Sequence, residues 1–245
     1  MSNSGRTPSI VFDKYDRQGA YHWQECDRWN RAFNPPLLAR YDVVVDAVHG
    51  GEVLDIGAGD GYLTGRLARR ADRVVGLEYD AAGAGLARRL LADRGNCEIV
   101  RGSTYDLPFA DSSFRWAVMA DVIEHLDHPE VAVREVARVL KPDGAFVVTT
   151  PKKVPHRVWD KYHVKEYLPE ELRDLLGTAF GSVRMSYLWP LHWSDRYRTR
   201  IGWRGLKFAG RLGFNPFRRS GTVDAGFGQI FAVASAPRPA ARTGS

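Results

Sequence analysis

Apolar and polar positions along the chain follow two periods in turn. Short apolar runs bounded by turn residues predict strands near 52–56, 73–78, 97–101, 115–120, 144–150, 181–188 and 226–235. Between them, apolar residues recur at helical spacing over 61–70, 81–94, 129–140 and 168–176. Such alternation implies the α/β class, with a mostly parallel sheet covered by helices on both faces. Upstream, residues 15–50 read as a helical cap. Asn34 before Pro35 and Pro36 marks a helix start there, and Leu37, Leu38, Tyr41, Val44, Val45 and Val48 supply its apolar face. The core is expected over 51–190 and 226–235, interrupted by an excursion at 191–225. The polar or Pro/Ala/Arg-rich ends, 1–14 and 236–245, read as disordered tails.

Composition narrows the partners only a little. With 245 residues the chain can bury a full core. It has no apolar run long enough to span a bilayer and no secretory pattern at Met1–Arg6. Cys26 and Cys97 form neither a disulfide framework nor a metal spacing, which fits a reducing cytoplasm. The formal net charge is +6, and the excess gathers after residue 195. On a helical register Arg200, Arg204, Lys207 and Arg211 form one stripe, with Ile201, Gly205, Phe208 and Leu212 beside it. That pattern suits peripheral membrane contact through 196–219, or a lid whose arginines clamp an anionic, lipid-linked or small-molecule acceptor. Nucleic acid ranks lower, because no RNA-binding module accompanies the segment.

The chemistry begins at Val53-Leu54-Asp55-Ile56-Gly57-Ala58-Gly59-Asp60-Gly61-Tyr62. Alternating glycines at a strand end let the backbone turn sharply and approach a ligand that a Cβ would repel. A carboxylate at Asp55 would face a pyrophosphate badly, but suits a ligand with a cationic amino group. This favours S-adenosylmethionine over a nicotinamide dinucleotide. About 20 residues on, Glu78 closes the next strand, where acids bind ribose hydroxyls. Tyr79 can pack on an adenine.

These features, with Asp106-Leu107-Pro108-Phe109-Ala110-Asp111-Ser112-Ser113-Phe114, Asp121-Val122-Ile123-Glu124-His125-Leu126 and Val139-Leu140-Lys141-Pro142-Asp143-Gly144, resemble the class I S-adenosylmethionine-dependent methyltransferases. The likeness runs over about residues 50–180 and is similar to the small-molecule group that includes the ubiquinone-pathway O-methyltransferases. It implies a Rossmann-like seven-stranded sheet with an antiparallel last strand. It also implies that Asp55, Gly57, Gly59 and Gly61 hold the methionine end and Glu78 and Tyr79 the nucleoside, with Asp121 a further cofactor-binding residue. Ser103 and Thr104 stand where the family usually has an adenine-reading carboxylate, and Arg115 replaces its usual Asp.

Asp121, Glu124 and His125, at i, i+3 and i+4, are expected to share one side of a helical turn. With His163 they form a candidate ligand set for Mg2+ or Mn2+. In the ubiquinone-pathway enzymes and the small-RNA terminal 2′-O-methyltransferases such a metal acidifies the attacking hydroxyl. Otherwise His125 or His163 serves as substrate contact or general base. Tyr21-His22-Trp23 either covers the substrate or holds the cap on the core. The expected function is O-methylation of a small or lipid-like acceptor. The alternatives are an RNA 2′-O-methyltransferase and a non-catalytic cofactor-binding scaffold.

Overall fold

The computed structural model describes residues 14–157, 159–197 and 199–238. Three helices, α1 (Lys14–Gln18), α2 (Tyr21–Cys26) and α3 (Pro35–Ala47), precede the first strand. The core then runs β1 (Glu52–Ile56), α4 (Tyr62–Leu67), β2 (Arg73–Glu78), α5 (Ala81–Leu90), β3 (Cys97–Arg101), β4 (Phe114–Ala120), α6 (Pro129–Val139), β5 (Leu140–Pro151), α7 (Pro169–Gly177) and β6 (Phe180–Pro190). The excursion forms α8 (Leu191–Tyr197) and α9 (Arg200–Arg211), and β7 (Phe227–Pro237) ends the described chain.

The seven strands are ordered β3-β2-β1-β4-β5-β7-β6. Strands β3 to β5 are parallel, and β7 lies antiparallel between β5 and β6. This matches the expected sheet. The tails expected at 1–14 and 236–245 lie outside the described residues except for Lys14 and residues 236–238. Lys14 opens α1, Ala236 and Pro237 extend β7 alongside β6, and the Arg238 amide donates to the Ala179 carbonyl at 2.8 Å.

Successive residues of each strand point to opposite faces, and both faces are apolar, as a covered parallel sheet requires. Val53, Val74, Val118 and Val147 pack against α3 and α4 with Leu37, Tyr41, Val44 and Leu63. Leu54, Val75, Ala117 and Val148 face the opposite layer, against Val133, Val136, Leu172 and Leu176 of α6 and α7. Helix α3 starts as its sequence dictates. Asn34 Oδ1 accepts from the Leu37 amide at 3.3 Å, and Pro35 and Pro36 fill positions whose amides need no intrahelical partner. These layers leave the carboxyl ends of β1, β2 and β4 converging under the N-terminal helices.

Candidate active site

Strands β1, β2 and β4 each end in residues that line one cavity of about 750 Å³, within the usual size for small-molecule sites. From β1 comes the glycine loop. Gly57 and Gly59 have φ of 77° and 58°, a left-handed conformation that β-carbons resist. A Cβ on Gly57 would lie 2.5 Å from Val122 Cγ2, and one on Gly59 would lie 2.2 Å from the Tyr15 hydroxyl. From β2 comes Glu78, whose Oε2 accepts from the Gly59 amide at 2.7 Å and Oε1 from the Asp80 amide at 2.8 Å. Burial raises its pKa against those two amides. Tyr79, half exposed, stands beside it on the wall.

Gly57, Glu78, Tyr79, Thr104, Asp121, Glu124, His125 and His163 all line this cavity. Four other expected ligand residues stand behind it. Asp55 is buried under the loop, where Thr64 Oγ1 donates to its Oδ2 at 2.6 Å. Burial is the main cause of its pKa rising to about 7, with the nearby Glu78 charge adding to it. Gly59 is covered by Tyr15, and Gly61 caps α4 in a left-handed conformation. Ser103 Oγ accepts from the Tyr105 amide at 3.2 Å and is thereby used within its own turn. Its neighbour Thr104 keeps a buried Oγ1 with no protein partner on the cavity wall. Of the two hydroxyls expected there, only that of Thr104 is left without a hydrogen-bond partner among the described residues.

The stretch after β4 departs from the expected helical turn. Only Ile123–His125 form a 3-10 turn, and Asp121 precedes it with φ of 53°. Asp121 is engaged by three partners: Arg40 of α3 through an ion pair, Thr149 Oγ1 at 2.8 Å and Gln229 Nε2 at 2.6 Å. It does not join the candidate metal cluster. Glu124, His125 and His163 do come together, with ligand atoms all within 4.8 Å of one another. Glu124 is fully buried and accepts from Thr150 Oγ1 at 3.0 Å, while its Oε1 has no partner. Burial, reinforced by the Asp121 charge, raises its pKa well above the carboxylate range.

The two histidines are oriented from behind. His125 Nδ1 lies 2.9 Å from the Tyr162 carbonyl, so that nitrogen carries the proton and Nε2 keeps a lone pair when the ring is neutral. Burial lowers the His125 pKa, offset by that carbonyl and assisted by the neighbouring His163. His163 Nδ1 faces Glu166 Oε1 at 3.0 Å in the same way.

Several lining residues had no motif to announce them. Arg40 lies on the same α3 face as Leu37, Tyr41 and Val44, and a charge on an apolar face was the available signal. Trp159 and Trp189 also line the cavity, and the Trp189 Nε1 and Arg40 Nε donors are buried without hydrogen-bond partners among the described residues. Tyr21 and His22 also line the cavity, while Trp23 Nε1 donates to the Asp60 carbonyl at 3.0 Å. Asp60 Oδ2 accepts from the His22 amide at 2.9 Å. The cap thus both covers the cavity and locks onto the glycine loop.

The comparisons with known proteins agree with this geometry. Residues 54–148 match the methyltransferase domain family. A probable S-adenosylmethionine-dependent methyltransferase of Mycolicibacterium smegmatis is 38% identical over 135 residues, covering 53% of this chain and 51% of that protein. The demethylmenaquinone methyltransferase of Clavibacter sepedonicus is 32% identical over 122 residues, covering 48% and 50%. The chain thus spans about half the length of the curated relatives it matches. The fold resembles that of phosphoethanolamine N-methyltransferase 2 from Haemonchus contortus in complex with S-adenosyl-L-methionine. There the TM-score is 0.65 at 15% identity, covering 94% of this chain and 61% of that one. The glycine loop, the strand-end acid Glu78, the strand order and the match over residues 54–148 identify in this chain a methyltransferase domain similar to those of the class I S-adenosylmethionine-dependent enzymes.

Proposed function

We propose that the protein transfers a methyl group from S-adenosylmethionine to an oxygen of a small or lipid-like acceptor. One observation carries the reading: a single cavity joins the cofactor-type wall, Gly57, Glu78 and Thr104, to an acceptor-type end built from His125, His163 and Trp189. The bound cofactor supplies an electrophilic methyl on a sulfonium, so positioning provides much of the rate. Gly57, Glu78 and Thr104 would hold the cofactor, whose sulfur would keep the carbon–sulfur electron pair as the acceptor oxygen takes the methyl group. The acceptor proton passes to His125 Nε2, the lone-pair nitrogen left by the Tyr162 contact. The unpartnered Arg40 Nε and Trp189 Nε1 donors would bind acceptor oxygens away from the reacting one.

Carbon methylation is a second reading, favoured by the likeness to a ubiquinone/menaquinone biosynthesis C-methyltransferase of Pseudomonas putida, 30% identical over 132 residues. Removing a ring hydroxyl proton at His125 would activate the oxygen and the adjacent ring carbon alike. Product analysis separates the two. The metal set reduces to Glu124, His125 and His163, and a divalent ion held there would lower the pKa of an acceptor hydroxyl.

Calorimetry tests the cofactor half: S-adenosylhomocysteine binds the intact protein, and Gly57→Val abolishes binding. Transfer of labelled methyl from S-adenosylmethionine into a lipid extract tests the other half. Binding without any transfer would replace the enzyme with a cofactor-binding scaffold.

A further inference from the structure

Helix α9 carries an outward face that the other described residues leave bare. Ile201, Phe208 and Leu212 are 86%, 63% and 71% exposed, and they share one side of the helix with Gly205. Its opposite side is committed inward, where Leu206 packs with Ala39 and Phe217, and Gly210 sits against Phe33. The helix is well capped, since Thr199 accepts from the Gly202 amide at 3.1 Å. An apolar stripe on a stable, docked helix is therefore presented outward by construction.

Two neighbours widen the stripe. Phe214, just past the helix end, is 60% exposed, and Trp29 is 77% exposed in the 27–31 loop. That loop is held to α9, because Lys207 Nζ donates to the Arg31 carbonyl at 2.6 Å and Arg211 Nε to the Arg28 carbonyl at 3.0 Å.

Charge decides what covers the face. Arg200 and Arg204 are exposed along one flank, with Lys207 and Arg211 behind them and Arg28, Arg31 and Arg219 exposed nearby. No acidic residue occurs between Asp195 and Asp224, and in the adjoining loop the single acid is Asp27. A second copy would bring these cations against one another, which disfavours self-association. A surface with anionic headgroups over an apolar interior satisfies both stripes at once, the aliphatic stems lying low and the charges reaching up.

We propose that α9, with Trp29 and Phe214, seats the protein on anionic lipid bilayers. The seat adjoins the cavity. Phe33 and Pro35, which touch Gly210, immediately precede Pro36 and Leu37 on the cavity wall. An acceptor embedded in the membrane would therefore enter close to where the protein rests. Surface binding itself does not depend on the methyl-transfer reading.

Vesicle flotation of the full chain tests the seat. Vesicles containing about one third phosphatidylglycerol are expected to carry the protein, pure phosphatidylcholine vesicles to carry far less, and added salt to weaken the binding. The triple variant Ile201→Ser, Phe208→Ser, Leu212→Ser is expected to lose at least about tenfold in vesicle affinity. Its S-adenosylhomocysteine affinity should stay within about twofold, which distinguishes a lost seat from a lost fold. Equal recovery with both lipid types, equal binding by the triple variant, or a dimer in solution that the triple variant abolishes would each overturn the proposal. The same holds if the chain ignores vesicles but binds an acidic protein through α9.

Discussion

Arg40 of α3 forms an ion pair with Asp121, joining the N-terminal cap to the carboxyl end of β4. The pair fixes Asp121 in a left-handed conformation and turns the chain toward Glu124 and His125. Removing the acid would leave the Arg40 guanidinium uncompensated in a largely buried place, and would strand Thr149 and Gln229 as well. Asp121→Ala is expected to cost roughly 3–5 kcal/mol in urea unfolding. Asp121→Asn should cost clearly less, because Asn tolerates positive φ and can still accept one hydrogen bond. Equal losses for the two variants would mean that the ion pair, which both remove, holds this corner and that the hydrogen bonds from Thr149 and Gln229 add nothing.

The glycine loop and the cap make a second coupled pair. Gly59→Ala places a Cβ 2.2 Å from the Tyr15 hydroxyl and keeps an alanine at φ 58°. The backbone part costs on the order of 1–2 kcal/mol and no change at Tyr15 can relieve it. The steric part should vanish in Tyr15→Ala. A double-mutant cycle on thermal unfolding is therefore expected to show an interaction of at least about 0.5 kcal/mol, with the double variant losing less than the sum. Strict additivity would show that α1 does not rest on the loop.

How much of this was legible in the sequence differs by element. The strands, the strand-end acids and the order of the motifs were readable, because they depend on local periods and on turns that only glycine makes. The cap–loop contacts were not. His22 and Trp23 meet Asp60 across 38 and 37 residues, and neither residue type announces its partner. Asp121 misled for a related reason. Its i, i+3, i+4 spacing with Glu124 and His125 suggested one helical face, yet Arg40, Thr149 and Gln229 hold it in a conformation that stops the helix. Local spacing lost to tertiary hydrogen bonds.

Asp55 sets a pH dependence. Its folded-state pKa of about 7 lies above the ordinary carboxylate value of 3.8, mainly because the group is buried. The folded state thus holds a proton that the unfolded chain has released, and stability falls as pH rises from about 4 toward 7. Asp55→Asn removes this dependence. The variant is expected to gain in melting temperature relative to the parent at pH 8, and to gain less or nothing at pH 5. A constant difference across that range would place the Asp55 pKa near its ordinary value. Because the residue supports the glycine loop from below, weaker S-adenosylhomocysteine binding should accompany the gain.

Metal removal distinguishes the two uses of the acceptor end. Of the four groups expected to gather there, Asp121 is already engaged by Arg40, Thr149 and Gln229. Glu124 is buried at the cavity wall, where burial and the Asp121 charge raise its pKa and disfavour the carboxylate that a divalent ion needs. That leaves two imidazoles, with His125 Nδ1 committed to the Tyr162 carbonyl and His163 Nδ1 to Glu166, a nitrogen set poorly matched to Mg2+ and able to take a proton at His125. Turnover with an accepted substrate is therefore expected to survive EDTA. His125→Gln should lower it by about 10²–10⁴-fold while leaving S-adenosylhomocysteine affinity nearly unchanged. In the parent, kcat/KM should rise with pH through a value below the usual histidine range, since burial depresses the His125 pKa. Loss of turnover in EDTA, restored by Mg2+ or Mn2+, would instead assign Glu124, His125 and His163 to an ion, and the base would then be sought elsewhere.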